Sequence, residues 1–155
     1  MSYRIEGLSP EPFRPMFEMD EAELASLNAL RVVAEKGGGY PCRVSLCDAE
    51  PGEQLILVNH VSQPLASPFR ASHAIYVRKG AERSAPLVDA VSDYLDRRTL
   101  SLRGFDASGR IAAAVLAAPG GADAAIRELL SNGEVAEIHA HSAAYGCFLA
   151  RIERN

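Results

Sequence analysis

The chain contains no tryptophan and only three cysteines, and it lacks both a long apolar run and a dense cluster of like charge. Each absence removes a class of protein. Three cysteines, an odd number, suit free thiols better than a disulfide framework, so a reducing, cytoplasmic compartment is expected. No segment approaches the ~20 apolar residues of a membrane helix, so no membrane partner is expected. The opening MSYRIEGLSPEPFRP has neither the apolar stretch nor the small-residue cleavage site of a secretory leader. The formal charge is −4, and beyond the short run Arg97-Arg98 and the isolated Arg103 the basic residues are dispersed. Nucleic-acid binding rests on clustered positive charge, so no nucleic-acid partner is expected.

What is present describes one ordinary domain spanning residues 1–155. Surface scaling gives a folded area of roughly 7,600 Å², with about 68% of the unfolded surface buried, enough for a core without staples. Hydrophobic residues at 48% and charged residues at 23% match globular averages and exclude a disordered chain.

The local patterns alternate between periods of two and 3.6. Residues 2–8 suit an opening strand, which the prolines at 10, 12 and 15 end. Asp20 precedes a short helix over 21–27 with acidic residues in its first turn. Strands are expected over 30–35, 40–47, 54–60 and 73–78. In the second of these, alternation puts Cys42, Val44 and Leu46 on one face and Arg43, Ser45 and Cys47 on the other. Leu87, Val88, Val91, Tyr94 and Leu95 recur at helical spacing and predict an amphipathic helix over 85–96. A hairpin follows, 99–105 with 110–117; placing Phe105 opposite Arg110 gathers Leu100, Leu102, Ile111, Ala113 and Val115 on one face. A helix over 121–131 ends at Asn132-Gly133. Eight or nine strands against two or three helices, with short links, predict an α+β fold. It is expected as a single domain built on a mainly antiparallel curved sheet or partly closed barrel.

The last hairpin carries the strongest chemical signal. His139 and His141 stand two residues apart in a strand, so both leave the same face with Cα atoms ~6.6 Å apart at ~3.3 Å per residue. A five-residue loop, 142–146, places His141 opposite Cys147, His139 opposite Leu149 and Glu137 opposite Arg151. Ile138, Ala140, Phe148, Ala150 and Ile152 then form a purely apolar opposite face. The pair suits a divalent metal, with His73, Glu137, Cys147 or Asp48 as the third ligand if the fold brings one near. It equally suits a polar pocket or a solvated face.

Two further motifs add candidates. Cys42-Arg43 follows a Gly/Pro turn, and a cysteine near a cation and a histidine is a candidate nucleophile. Ser67-Pro68-Phe69-Arg70-Ala71-Ser72-His73 is a polar loop entering a strand, in which Arg70 offers a planar fork for carboxylate or phosphate. Arg70 equally suits tying its loop down through backbone carbonyls.

Together, the segments Gly39–Leu46, Asp48–Glu53, Ser67–Arg78, Ile138–His141, Gly146–Phe148 and Ala150–Arg151 resemble a bacterial family known as domain of unknown function 1203. The resemblance spans almost the whole chain and implies a small single-domain bacterial protein without an established activity. The chain departs from the family's pattern at His60, where tyrosine is frequent, and at Ser142, where asparagine is.

The function is therefore open between three classes, and whether the protein is an enzyme is open with it. The first is a small-molecule site for an anionic ligand, with Arg43 or Arg70 holding the anion, Cys42 beside them, and His73, His139 and His141 as hydrogen-bond or acid–base groups. The second is a metal-dependent enzyme using His139 and His141. The third is a non-catalytic interaction or homo-oligomerisation module. The first requires His73 to lie within ~10 Å of the His139/His141 pair.

Overall fold

The computed structural model describes residues 1–155 and exposes 7701 Å². Its strands are β1 (Tyr3–Glu6), β2 (Ala29–Val33), β3 (Pro41–Cys42), β4 (Cys47–Asp48), β5 (Gln54–Gln63), β6 (Ala71–Arg78), β7 (Leu87–Val88), β8 (Leu100–Phe105), β9 (Ile111–Ala117), β10 (Glu137–Ser142) and β11 (Phe148–Arg154). The helices are α1 (Glu21–Ser26), α2 (Asp93–Asp96) and α3 (Ala122–Ser131). This is the expected α+β fold on mainly antiparallel strands, and its two sheets are open, which fits the curved-sheet alternative. The first sheet runs β7-β1-β11-β10-β8-β9 and the second β2-β5-β6-β3-β4. All neighbours are antiparallel except β3 and β6. No helix is long and apolar enough to cross a membrane, and all three cysteines are unpaired.

Local chemistry accounts for the two principal helices. Asp20 and Glu23 form a reciprocal capping box, each side chain accepting the other's backbone N–H at 2.8 Å, and so satisfy two orphan donors of α1. In α3, Ala122, Ala125, Ile126, Leu129 and Leu130 repeat at helical spacing and are buried. They pack on Leu100, Leu102, Ile138, Ala140, Ala150 and Ile152 of the first sheet, which form the larger core. A second core gathers Ile56, Val58, Ile75 and Val77 of the second sheet, with Leu24 of α1 and Phe13. Phe148 of the first sheet belongs to this second core, so it bridges the two layers.

Four expectations are corrected. Residues 40–47 are not one strand: Arg43–Leu46 is a turn between β3 and β4, closed by Leu46 N donating to Cys42 O at 3.0 Å. Alternation of apolar residues mimicked a strand because Cys42, Val44 and Leu46 are all buried within that turn. Residues 85–96 are helical only over α2, because Leu87 and Val88 pair with β1 and Asp89 sits at φ 51. Asp89 is fixed there by Ser2 Oγ, which donates to its carboxylate at 2.8 Å.

The two hairpins are each altered by a β-bulge. In β8–β9, Phe105 faces Ile111 across an irregularity at Gly104/Phe105, which sends Ile111 to the face opposite Leu100 and Leu102. In β10–β11 the pairs are Glu137–Glu153, His139–Arg151 and Ala140–Ala150, two residues from the expected register. A shift of two preserves the faces, so Ile138, Ala140, Ala150 and Ile152 remain together in the core. The bulge between Ala140 and His141 then sets His141 against Phe148, and Phe148 turns to the histidine face while Leu149 takes its place in the core.

At Gly7 the chain leaving β1 passes close against the Arg43–Leu46 turn. A Cβ there would lie 1.8 Å from the Val44 carbonyl oxygen, while Gly7 N–H donates to Ser84 Oγ at 2.7 Å. Gly7→Ala is expected to lower stability by ~3 kcal/mol or more, because backbone on both sides must separate. Urea unfolding of the variant tests this; a midpoint equal to wild type would contradict it.

Candidate functional site

The site grows out of strand alternation. On β5 and β6 the core-facing rows are Ile56, Val58, His60 and Val77, Ile75, His73, so each apolar row ends in a histidine, and the two histidines pair across the strands. On β10, Glu137, His139 and His141 share one face, opposite Phe105, Arg103 and Ser101 of β8. The sheets meet along these rows. His73 and His141 touch edge to face with centroids 4.7 Å apart, well inside the distance a joint site requires. His139 lies 6.3 Å from His141. Phe148 is the common neighbour, 5.4 Å from His139, 5.9 Å from His141 and 6.2 Å from His60. Phe105 covers His139 at 4.7 Å. All four histidines of the chain are therefore gathered in one layer.

Hydrogen bonds fix the rings. His141 Nδ1 lies 3.0 Å from Gly146 O, which only accepts, so Nδ1 carries a hydrogen. His139 Nε2 donates to Glu137 Oε1 at 3.0 Å. Glu137 is itself held by Arg151, whose Nε donates to Oε2 at 2.6 Å. This realises the expected Glu137–Arg151 ion pair, on a diagonal instead of directly across. Ser62 Oγ forms a hydrogen bond with His73 Nδ1 at 2.7 Å and lies 3.4 Å from Ala71 O. The remaining ring nitrogens of the two buried histidines, His139 Nδ1 and His141 Nε2, have no partner. An unsatisfied buried polar atom costs about 1–3 kcal/mol, and native folds hold few.

Burial also sets the protonation. Desolvation pushes His141 down to about 3, opposed by the Gly146 carbonyl and reinforced by Arg103, His73 and His139. His73 is lowered by desolvation and then by Arg103, His139 and Arg43, and His60 by desolvation and His73. The hydrogen bond from His139 leads the causes that hold Glu137 below the usual carboxylate range. At neutral pH His141 Nε2 is thus a lone-pair acceptor.

A cavity of about 210 Å³ opens onto this layer, lined by His73, His139, His141, Arg70, Arg103 and Phe105 among others. No carboxylate lines it. Neither arginine has a carboxylate partner: Arg103 Nε reaches Ser101 Oγ at 3.5 Å, and Arg70 donates to the Pro64 carbonyl, tying its loop as the alternative reading expected. On the far side of His139 lies a larger hollow of about 720 Å³ with mixed charge, Glu137 and Glu153 against Arg4 and Arg151.

Of the residues singled out from sequence, His73, His139, His141 and Arg70 are brought together and Arg43 and Cys42 are not. Cys42 is fully buried in the second core, its Sγ accepting the Arg78 N–H at 3.3 Å. Arg43 is buried and lines a different cavity, together with Cys147. The remaining third-ligand candidates divide likewise: Asp48 is paired with Arg98 at 2.8 Å, and Cys147 has left the histidine face. No group of three or more His, Cys, Asp or Glu is arranged to hold a metal ion. Sequence reasoning missed Ser62, Phe105 and Phe148; it noted His60 as a strand-end residue able to line a cleft and Arg103 as an isolated base able to touch an anion, but joined neither to the histidine pair. Alternation through Ile56 and Val58 was a usable signal for His60; the bulges that aim Phe105 and Phe148 left none.

The family model described as a protein of unknown function, DUF1203, matches residues 39–154. The chain belongs to that family. No curated protein and no solved structure matches the chain. The DUF1203 match includes every residue of the histidine layer, whereas β1, α1 and β2 lie outside it.

Because His141 is held at about 3 in the folded chain against 6.5 unfolded, the unfolded chain binds more protons between those values. Stability is therefore full above the unfolded value and declines as pH falls through that window. His141→Gln is expected to flatten the decline between about pH 7 and about pH 4 by on the order of 1 kcal/mol or more. Urea midpoints at several pH values measure it, and equal slopes for variant and wild type would refute it.

Proposed function

We propose that this DUF1203 protein binds a small anionic molecule between its two sheets. One observation carries the reading: Arg70 and Arg103, both without a carboxylate partner, line a cavity that three histidines share and no acid enters. Two guanidiniums supply forked donors for an oxyanion. His141, neutral with an unpartnered nitrogen, supplies an acceptor, so the fitting ligand carries a hydroxyl or other donor beside its anionic group. A volume near 210 Å³ suits a compact oxyanion or short hydroxy acid. Bound negative charge offsets the desolvation that depresses His73 and His141, so the ligand's arrival draws protons onto the rings and supports acid–base chemistry. The free thiols support a cytoplasmic setting, and the family resemblance a bacterial one.

Sulfate, which does not titrate near neutrality, tests the reading by calorimetry. Saturable binding that tightens from about pH 7 to about pH 5, with proton uptake, is expected. Arg103→Gln is expected to weaken it about tenfold or more. Absence of saturation, or affinity indifferent to Arg103, would end the proposal.

A divalent metal held by the His139/His141 pair is the second reading, favoured by the outer hydrogen bonds of these two rings, which leave one unpartnered nitrogen on each. Zinc titration of the purified protein with elemental analysis decides it: stoichiometric uptake lost in His139→Gln and His141→Gln supports the metal, and no uptake removes it.

A further inference from the structure

Arg43 carries the only fully charged side chain that is buried in this fold, at 3% exposure. Its Nε donates to Phe148 O at 2.7 Å and its Nη1 to Pro41 O at 2.6 Å. Carbonyls satisfy hydrogens without neutralising charge, and no carboxylate pairs with this guanidinium. Two partly buried arginines nearby are treated differently, Arg78 meeting Glu53 at 3.0 Å and Arg98 meeting Asp48 at 2.8 Å. A charge removed from water without a counterion is costly, so the fold has a reason to receive one.

The space beside Arg43 fits that role. It lines a cavity of about 690 Å³, separate from the histidine cavity and within the size range of small-molecule sites. Lys36 and Arg98 add positive charge to the lining, and no Asp or Glu contributes. Aromatic surface is present too. Tyr40 and Tyr76 pack together at 5.3 Å on one side, and Tyr145, 89% exposed, stands in the loop between β10 and β11. A phenol ring left in water beside a basic hollow is a stacking surface without a partner.

We propose that this second cavity binds an aryl anion, a planar aromatic ring bearing a carboxylate or phosphate, with Arg43 and Lys36 taking the anionic group and the tyrosines the ring. This site stands independently of the histidine cavity, since the two share no lining residue.

Phenyl phosphate, benzoate, inorganic phosphate and phenol, each titrated calorimetrically into the full chain, test it. Phenyl phosphate or benzoate is expected to bind one-to-one, with phenyl phosphate about tenfold tighter than inorganic phosphate, since the ring adds stacking to charge. Whichever of the two aryl anions binds more tightly identifies the anionic group. Phenol alone is expected to give no saturable heat. Lys36 and Tyr145 are exposed, so their replacement leaves folding intact. Lys36→Gln and Tyr145→Ala are expected to weaken the aryl anion about threefold and about tenfold at an unchanged thermal midpoint. His73→Gln is expected to leave its affinity within about twofold, because no contact is lost. The proposal falls if neither aryl anion binds at millimolar concentration, or if the ring adds nothing over phosphate. It falls equally if His73→Gln removes the binding, which would place the molecule at the histidines.

Discussion

The guanidinium of Arg43 is the tie on which the arrangement of the two sheets depends. It sits in the turn that joins β3 to β4 and donates to the carbonyl of Phe148, the first residue of β11 in the other sheet. Residues 105 positions apart in sequence are thereby held by one charge-assisted bond in a water-poor setting, where such a bond is strong and its loss leaves a bare charge. Gly7 makes the same juncture sterically feasible, since only hydrogen fits between it and Val44 O. Charge, carbonyl and missing side chain act at one crossing point of the chain.

From that crossing, the histidine layer follows. Phe148 is aimed at His139, His141 and His60 because its backbone is fixed and the bulge opposite Ala140/His141 turns it over. The imidazoles then occupy what would otherwise be the extension of an apolar core, and burial keeps His141 uncharged at neutrality. A core built this way sacrifices stability that leucines would supply, and it retains nitrogen lone pairs inside the protein. Unpartnered nitrogens at a cavity wall are the feature on which the proposed anion site rests.

How much of this was legible in the sequence follows from the range of each interaction. The N-cap of α1, the helix over 121–131 and the existence of the two hairpins depend on neighbours a few residues away, and they read correctly from spacing. Face assignments survived even a two-residue register error in β10–β11, because a sheet repeats every second residue. Failures came where one extra residue or one distant partner decided the outcome. Ile111 and Phe148 were misplaced by bulges, and residues 43–46 looked like a strand because burial alternates in that turn as it does in a sheet. Arg43 was grouped with His73, His139 and His141 on chemical type alone, although it serves a different wall. Arg103 was visible as an isolated base, yet only the pairing of β8 with β10 sets it beside His139.

Phe148 belongs to both walls of the protein, its carbonyl to Arg43 and its ring to the imidazoles. Backbone and ring of this one residue thus answer to different neighbours, so trimming the ring disturbs the imidazoles while the carbonyl that Arg43 holds stays in place.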